Sequence, residues 1–481
     1  MDFRPIVFVN GLLLVILALA MLVPMLFDFV MGTPDWVNHA ASAGITALTG
    51  GILALLTRSK SNENISVRQA FVMTTAIWLS IAVFGSLPFL LVVDDIRMVD
   101  AFFESMSGIT TTGSTVLIGL DNTDPGILVW RSLLQWLGGV GIIVMALSIL
   151  PMLGVGGMQL FKSEAFEQSE KLLPRATEIA VSLLQVYAGL TVLTFLGLWL
   201  SGMSVFDAFI HCLTSISTGG FSSHDSSLGF YSSKAIQTVI MLAMIAGSLP
   251  FMLYLKSMRG SWSGWLREPQ LLTFFVLLAV FIAALAFWRI NGGHNVFDSL
   301  FNAAFNVISI MTGTGYANAD YSSWGPFANV IFLTLMFIGG CAGSTTCGVK
   351  VFRFQVLLAT SIAQIRRLSS PRAVIVANYA GRPLTEEVSE SVQVFFYLFI
   401  LTFAVIAIIL GFTGLDFLTA VSSAATAITN VGPALGPVSG PSGTFSSFPD
   451  AAKWTMAFAM LLGRLELFTI FALFVPAMWR D

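Results

Sequence analysis

Four glycines, Gly113, Gly220, Gly315 and Gly432, sit in strips of small hydroxyl and amide residues: GITTTGST, SISTGGFS, IMTGTGYA and AITNVGPA. Thr110, Thr111, Thr112, Ser217, Thr218, Thr312, Thr314, Thr429 and Asn430 supply oxygens there without formal charge. Glycine lets the backbone turn its carbonyls toward one axis at φ/ψ values that a β-carbon would forbid. Rings of neutral oxygen replace the hydration shell of a weakly hydrated monovalent cation, whereas sites for divalent ions usually add carboxylates. Potassium fits best, sodium and rubidium less well. A single strip of this kind is an ordinary loop; four with the same lead-in describe a cation filter.

The lead-in is a short helix. Asp100, Asp207, Asp298 and Asp416 stand 13, 13, 17 and 16 residues before the four glycines and read as helix N-caps, with ion ligation the lesser alternative. A helix of that length rises about 20 Å at most, short of a hydrocarbon core of about 30 Å, so each dips in and returns. Irregular backbone at that depth is tolerated only where it lines a cavity. The helix C-termini also aim partial negative charge at the strips.

Composition sets the solvent. Hydrophobic residues make up 56% of the 481 and charged ones 10%, against roughly 25% charged in a soluble domain; the chain is a polytopic membrane protein surrounded by lipid. Its net charge of −3 shows no nucleic-acid footprint, and Cys212, Cys341 and Cys347 read as structural thiols. Apolar stretches long enough to cross cover Ile6–Phe27, Ala40–Leu56, Ala70–Val93, Ser132–Phe161, Ile179–Val205, Ala235–Leu255, Pro269–Trp288, Tyr321–Val349, Ser391–Leu415 and Trp454–Trp479. The first ends without a small-residue cleavage site and reads as an anchor.

Ten crossings follow: two extra N-terminal helices in 1–66, then four helix–pore loop–helix repeats over 67–173, 174–268, 269–388 and 389–481. The fold class is all-α, with four pore loops around one pore. With a cytoplasmic N-terminus, 17 of the 23 Lys and Arg residues fall in inside loops and tails. That positive-inside bias puts both termini in the cytoplasm and the strips on the outer face.

Arg464, about ten residues inside the last span, is costly there unless it faces a cavity and finds partners. Arg464 and Glu466 project from well-separated sides of a helix and do not neutralise each other; an interhelical salt bridge is the structural alternative for Arg464. His39, His211, His224 and His294 lack metal-ligand spacing, and Gly313-x-Gly315 lacks the βαβ context of a dinucleotide site. Lys162–Glu178 and Ile365–Glu390 read as solvated cytoplasmic helices that also offer a docking surface. A secondary transporter would more often show two inverted repeats with intramembrane carboxylates or histidines. A membrane enzyme would show clustered nucleophiles, bases or metal ligands at membrane depth. Neither pattern stands out, so the reading is a pore and no enzyme.

The four strips, the stretch IGGCAGSTTCGVK (Ile338–Lys350) and the ending MLLGRLELFTI (Met460–Ile470) resemble the membrane subunit of bacterial Trk potassium uptake systems, the TrkH/TrkG type of the Trk/Ktr/HKT superfamily. The resemblance covers essentially the whole chain, including the two extra helices. It implies a pseudo-fourfold monomer in the bacterial inner membrane, paired as a homodimer in which each subunit has its own pore. It also implies a cytosolic TrkA-type regulatory subunit that binds the nucleotide; this chain itself takes no organic cofactor, and K+ is its cargo.

Residue by residue, the resemblance implies a filter of Thr111, Thr112, Gly113, Thr218, Gly219, Gly220, Thr314, Gly315, Asn430, Val431 and Gly432, with K+ at Thr112, Gly113, Thr218, Gly219, Thr314, Gly315, Asn430 and Val431. A serine at the first filter position accompanies sodium transport in plant relatives, so Gly113 implies potassium. Gly339, Gly340, Cys341, Ala342, Gly343, Ser344, Thr345, Thr346, Cys347 and Gly348 match a gate loop beneath the filter, with Arg464 beside it. Small residues for helix packing are the alternative for the loop. Thr346 and Cys347 depart from the glycines of many relatives and imply a stiffer loop. The alternative function is a Na+- or H+-coupled monovalent cation symporter; coupling is not written in these residues.

Overall fold

The structure, a computed structural model, describes residues 1–58, 66–148 and 172–479. The expected cytoplasmic segment Lys162–Glu178 and the end of the expected span Ser132–Phe161 lie largely outside the described residues. Among the described residues, seven helices are long and apolar enough to cross a membrane, and counting each of two bent helix pairs as one span brings the number to nine.

Helices α1 (Arg4–Met31) and α2 (Trp36–Thr57) form an N-terminal hairpin. Their backbones touch at two glycines: a Cβ on Gly11 would lie 2.7 Å from Gly50 O, and one on Gly50 2.7 Å from Gly11 O. Small residues at a crossing let membrane helices approach this closely. Asp28 of α1 is buried and accepts the Gly126 amide at 2.7 Å, in the first turn of α6 (Pro125–Ser148), with His39 Nε2 3.3 Å away. A carboxylate at a helix N-terminus is favoured by the exposed amides and the dipole, and this one fastens the hairpin to the rest.

Then come α3 (Val67–Gly85), opened by a capping box between Ser66 and Gln69, and α4 (Leu87–Val92). The short α5 (Met98–Ile109) precedes α6. Next are α7 (Leu172–Leu200), the short α8 (Val205–Ile216), and α9 (Lys234–Ser248) with α10 (Phe251–Met258), bent by 91°. After α11 (Pro269–Asn291) and the short α12 (Val296–Met311), the expected crossing Tyr321–Val349 is interrupted. It holds α13 (Pro326–Phe337) followed by a non-helical stretch, and α14 (Val351–Ser369) begins just beyond its end. The chain closes with α15 (Glu386–Phe412), the short α16 (Phe417–Thr429), and α17 (Asp450–Arg464) bent by 103° into α18 (Phe468–Phe471).

The short helices α5, α8, α12 and α16 run 12, 12, 16 and 13 residues, and nearly every side chain in their C-terminal halves is buried. Their capping differs from the sequence expectation. Only Asp416 is an N-cap, accepting the Thr419 amide at 3.1 Å. Ser204 and Asn295 cap α8 and α12, which leaves Asp207 and Asp298 in the first turn; Asp100 is likewise a first-turn residue. Carboxylates there still complement the helix dipole, and their free oxygens take cations: Lys453 and Arg97 on Asp100, Lys234 on Asp298. The segment Ile365–Glu390 is also not one helix. Its middle turns at Ala380-Gly381, both with positive φ, into a hairpin of Asn378–Tyr379 and Arg382–Pro383.

Candidate functional site

Each short helix delivers its strip with the same backbone signature. Thr111, Thr218, Gly313 and Asn430 have φ of 52°, 51°, 70° and 54°, and the glycines two residues on, Gly113, Gly220, Gly315 and Gly432, have 87°, 77°, 82° and 111°. A left-handed backbone costs a non-glycine residue roughly 1–2 kcal/mol, so three strips hold a strained residue that the surroundings must fix. The four glycines then close a ring. A Cβ on Gly113 would lie 2.2 Å from Gly219 O, on Gly220 1.7 Å from Thr314 O, on Gly315 2.0 Å from Val431 O, and on Gly432 2.8 Å from Thr112 O. Each glycine therefore abuts the carbonyl that precedes the next strip's glycine, and the fourth returns to the first. All four glycines line one cavity, the mouth of the arrangement.

Side chains that the sequence reading passed over hold the ring. Glu104 of α5 and Arg131 of α6 are a buried ion pair, Nε to Oε1 2.8 Å. Glu104 also accepts the Val116 amide at 2.9 Å and the Thr115 hydroxyl, while Arg131 donates to Ser222 O at 2.9 Å and lies over the Phe221 ring. One pair thus ties strips one and two; its signal was a charge inside each of two apolar runs. Gln135, one turn further along α6, donates from Nε2 to Gly219 O at 2.6 Å and accepts the Phe221 amide at 3.0 Å. Ser114 donates to Gly432 O at 2.6 Å, joining strips one and four, and the Tyr316 hydroxyl meets Thr214 Oγ1, joining three and two.

At the rim of the mouth, His224 meets Asp121 through Nδ1 and lies 3.6 Å from Asp207 through Nε2. Partial burial alone would lower the His224 pKa, but the close approach of the Asp207 carboxylate, the hydrogen bond with Asp121 and the charges of both raise it above its ordinary value. Asp207 moves the other way: burial opposes its ionisation, but the nearby His224 imidazole and hydrogen bonds from Ser223 and Ser204 outweigh it and hold the carboxyl well below the usual range.

On the opposite side of the ring lies the loop between α13 and α14. It is buried, and a set of backbone amides ties it down: Gly339 N to Val349 O, Cys341 N to Ser248 O, Thr345 N to Gly247 O, Val351 N to Gly340 O, and Ala342 N to Gln270 Oε1, all at 2.8–3.1 Å. Two of these bonds end on Gly247 and Ser248 at the bend between α9 and α10, where Phe251 N returns one to Gly343 O. Thr345 reaches Ile216 O at the end of α8 and Thr218 Oγ1; Cys347 Sγ lies 3.9 Å from Thr111 Oγ1. The loop thus touches the strips from below.

Arg464 is the last residue of α17, because Glu466 and Leu467 both adopt positive φ. Its guanidinium is held by neutral groups, Thr345 O at 3.3 Å, Gly138 O at 2.9 Å and Cys347 Sγ, and lies over Trp78. Glu466 pairs with Arg353 of α14. The interhelical ion pair considered for Arg464 is therefore made by its neighbour.

The TrkH family model, described as a cation transport protein, matches residues 38–480. The chain belongs to the TrkH family. It is 43% identical over 479 residues to the Trk system potassium uptake protein TrkI of Halomonas elongata, across 99% of this chain and 97% of that one. It is 36% identical to the Trk system potassium uptake protein TrkH of Escherichia coli strain K12 over the full length of both. The crystal structure of the potassium transporter TrkH from Vibrio parahaemolyticus superposes with a TM-score of 0.92 at 34% identity, covering all of both chains. The nearly all-helical, multi-pass architecture is that of TrkH.

Proposed function

We propose that this TrkH-family protein takes up potassium across the bacterial inner membrane, with its termini in the cytoplasm and the mouth of the ring outside. The closed cycle of four glycines and four carbonyls carries this reading. Thr111–Gly113, Thr218–Gly220, Thr314–Gly315 and Asn430–Gly432 form the filter, and K+ passes the oxygens of Thr112, Gly113, Thr218, Gly219, Thr314, Gly315, Asn430 and Val431. The four repeats at 67–173, 174–268, 269–388 and 389–481 surround the pore, and residues 1–66 brace the first. Loop 339–348 and Arg464 gate it: they lie across the inner side of the strips, and a buried guanidinium on the path repels cations.

Two copies pair, each with its own pore, and a cytosolic nucleotide-binding regulatory subunit of the Trk system docks on the inner face. Arg366 at the end of α14, and Arg372 beyond it, are exposed there; Arg367 is bonded to Ile375 O at 2.8 Å and serves the fold instead. Gly113→Ser tests the filter, because its Cβ would meet Gly219 O at 2.2 Å. In a liposome flux assay the K+/Na+ permeability ratio falls; an unchanged ratio overturns the filter reading.

A further inference from the structure

The residue before each filter glycine is Thr112, Gly219, Thr314 or Val431, and in the second strip alone it has no side chain. In strips one and three the threonine hydroxyl bonds to the threonine two residues earlier, Thr110 at 2.7 Å and Thr312 at 2.8 Å. In strip four, Asn430 braces the turn instead, donating to Met460 O and Thr112 Oγ1, each at 2.9 Å. Strip two has Ser217 where the others have Thr110 and Thr312, but no hydroxyl at 219 to meet it; the serine turns back to Thr214 O at 3.2 Å. Backbone conformation does not explain the glycine, since Gly219 lacks the positive φ of Gly220. Space does. A Cβ at 219 would lie 2.4 Å from Gln135 Cδ and 2.5 Å from its Oε1.

Gln135 is fully buried on α6, and its amide spans Gly220, donating to the carbonyl before it and accepting the amide after it. The orientation is chemically determined, because Gly219 O only accepts and the Phe221 amide only donates. Gly219 O is also one of the four ring carbonyls. Among the described residues it is the one that receives a side-chain donor; Thr112 O, Thr314 O and Val431 O receive none.

We propose that Gln135 is a positioning residue for ion selectivity: it holds the Gly219 carbonyl at a fixed distance from the axis and shares its lone pairs, so that the ring cannot contract around a smaller, more strongly hydrated cation. Gly219 and Gln135 form one unit, in which the amide of α6 replaces the hydroxyl brace of strips one and three. The inference rests on the filter reading above, and it adds a specificity residue from outside the strips.

The test is a double-mutant cycle in proteoliposomes, reading the K+/Na+ permeability ratio and the apparent KM and maximal rate for K+ separately. Gln135→Ala is expected to lower the ratio by roughly fivefold, the scale of one net hydrogen bond, with the change in Na+ permeation larger than the change in K+ maximal rate. Gly219→Thr alone clashes with Gln135 and is expected to lose transport. The pair Gln135→Ala/Gly219→Thr removes the clash, places a hydroxyl beside Ser217, and is expected to recover transport and most of the selectivity. If Gln135→Ala does not reach the membrane, recovery in the double variant still carries the proposal, and a double variant without K+ selectivity overturns it. A wild-type ratio in Gln135→Ala, or normal selective transport in Gly219→Thr, also overturns it. Gly113→Ser in the same assay separates the two readings. A ratio that moves there but not in Gln135→Ala removes the positioning role alone; a ratio that moves in neither removes the filter reading.

Discussion

Two stretches of irregular backbone lie at the centre of this protein, and they satisfy their polar groups in opposite ways. The ring carbonyls of Thr112, Thr314 and Val431 receive no donor among the described residues, whereas in the loop from Gly339 to Gly348 the amides of Gly339, Cys341, Ala342 and Thr345 are bonded to Val349 O, to α9 and to α11. Buried backbone groups without partners are expensive at membrane depth, so the difference is informative. On the proposed filter reading, carbonyls left open are the ones a cation would complete, and amides already engaged would make a stable obstruction. On that proposal the ring carbonyls have the exchangeable partners and the loop the fixed ones.

The strongest way to break the comparison is to fill the ring. Gly220→Ala puts a Cβ 1.7 Å from Thr314 O on a backbone at φ 77°, and neither atom can retreat without opening the cycle. Potassium uptake is expected to be abolished while the protein still elutes as a folded species in detergent; uptake near the wild-type rate would show that the cycle does not define the pore.

Loosening the loop is the next effect in size. Arg464→Ala removes the donors to Thr345 O and Gly138 O, which clasp the loop to α6. A hydrogen bond from a charged group contributes about 1.5 kcal/mol or more, so basal flux without the regulatory subunit is expected to rise roughly tenfold. Reduced flux at normal expression would assign Arg464 to the fold instead of the gate.

The smallest effect sharpens the ring's rim. Because the folded-state pKa of His224 is raised, its ion pairs with Asp121 and Asp207 contribute fully below the ordinary imidazole pKa of about 6.5. Their contribution is lost as the pH climbs through the raised value. The cluster is partly solvated and screened, so the expected loss in melting temperature across that window is about 1 °C. His224→Gln should flatten the profile; an equal pH slope in the variant would place the titration elsewhere.

Much of this was legible in the chain itself. Polar-rich strips after half-length helices, charge asymmetry and apolar lengths described a multi-pass protein with four strips, because each of those signals is local: hydropathy, helix rise and the preference of glycine for positive φ act within a few residues. Capping is less legible from residue type: Asp416 caps its helix, but Ser204 and Asn295, just upstream of Asp207 and Asp298, take the cap positions instead. What only the tertiary structure decided is which distant groups meet. Glu104 finds Arg131, Glu466 turns to Arg353 because the helix breaks after Arg464, and Gln135 takes the space that makes Gly219 a glycine. No spacing rule encodes those pairs. They exist because four strips converge on one axis, and convergence brings together residues separated by tens to hundreds of positions whose side chains must then fill, bond and neutralise whatever space remains.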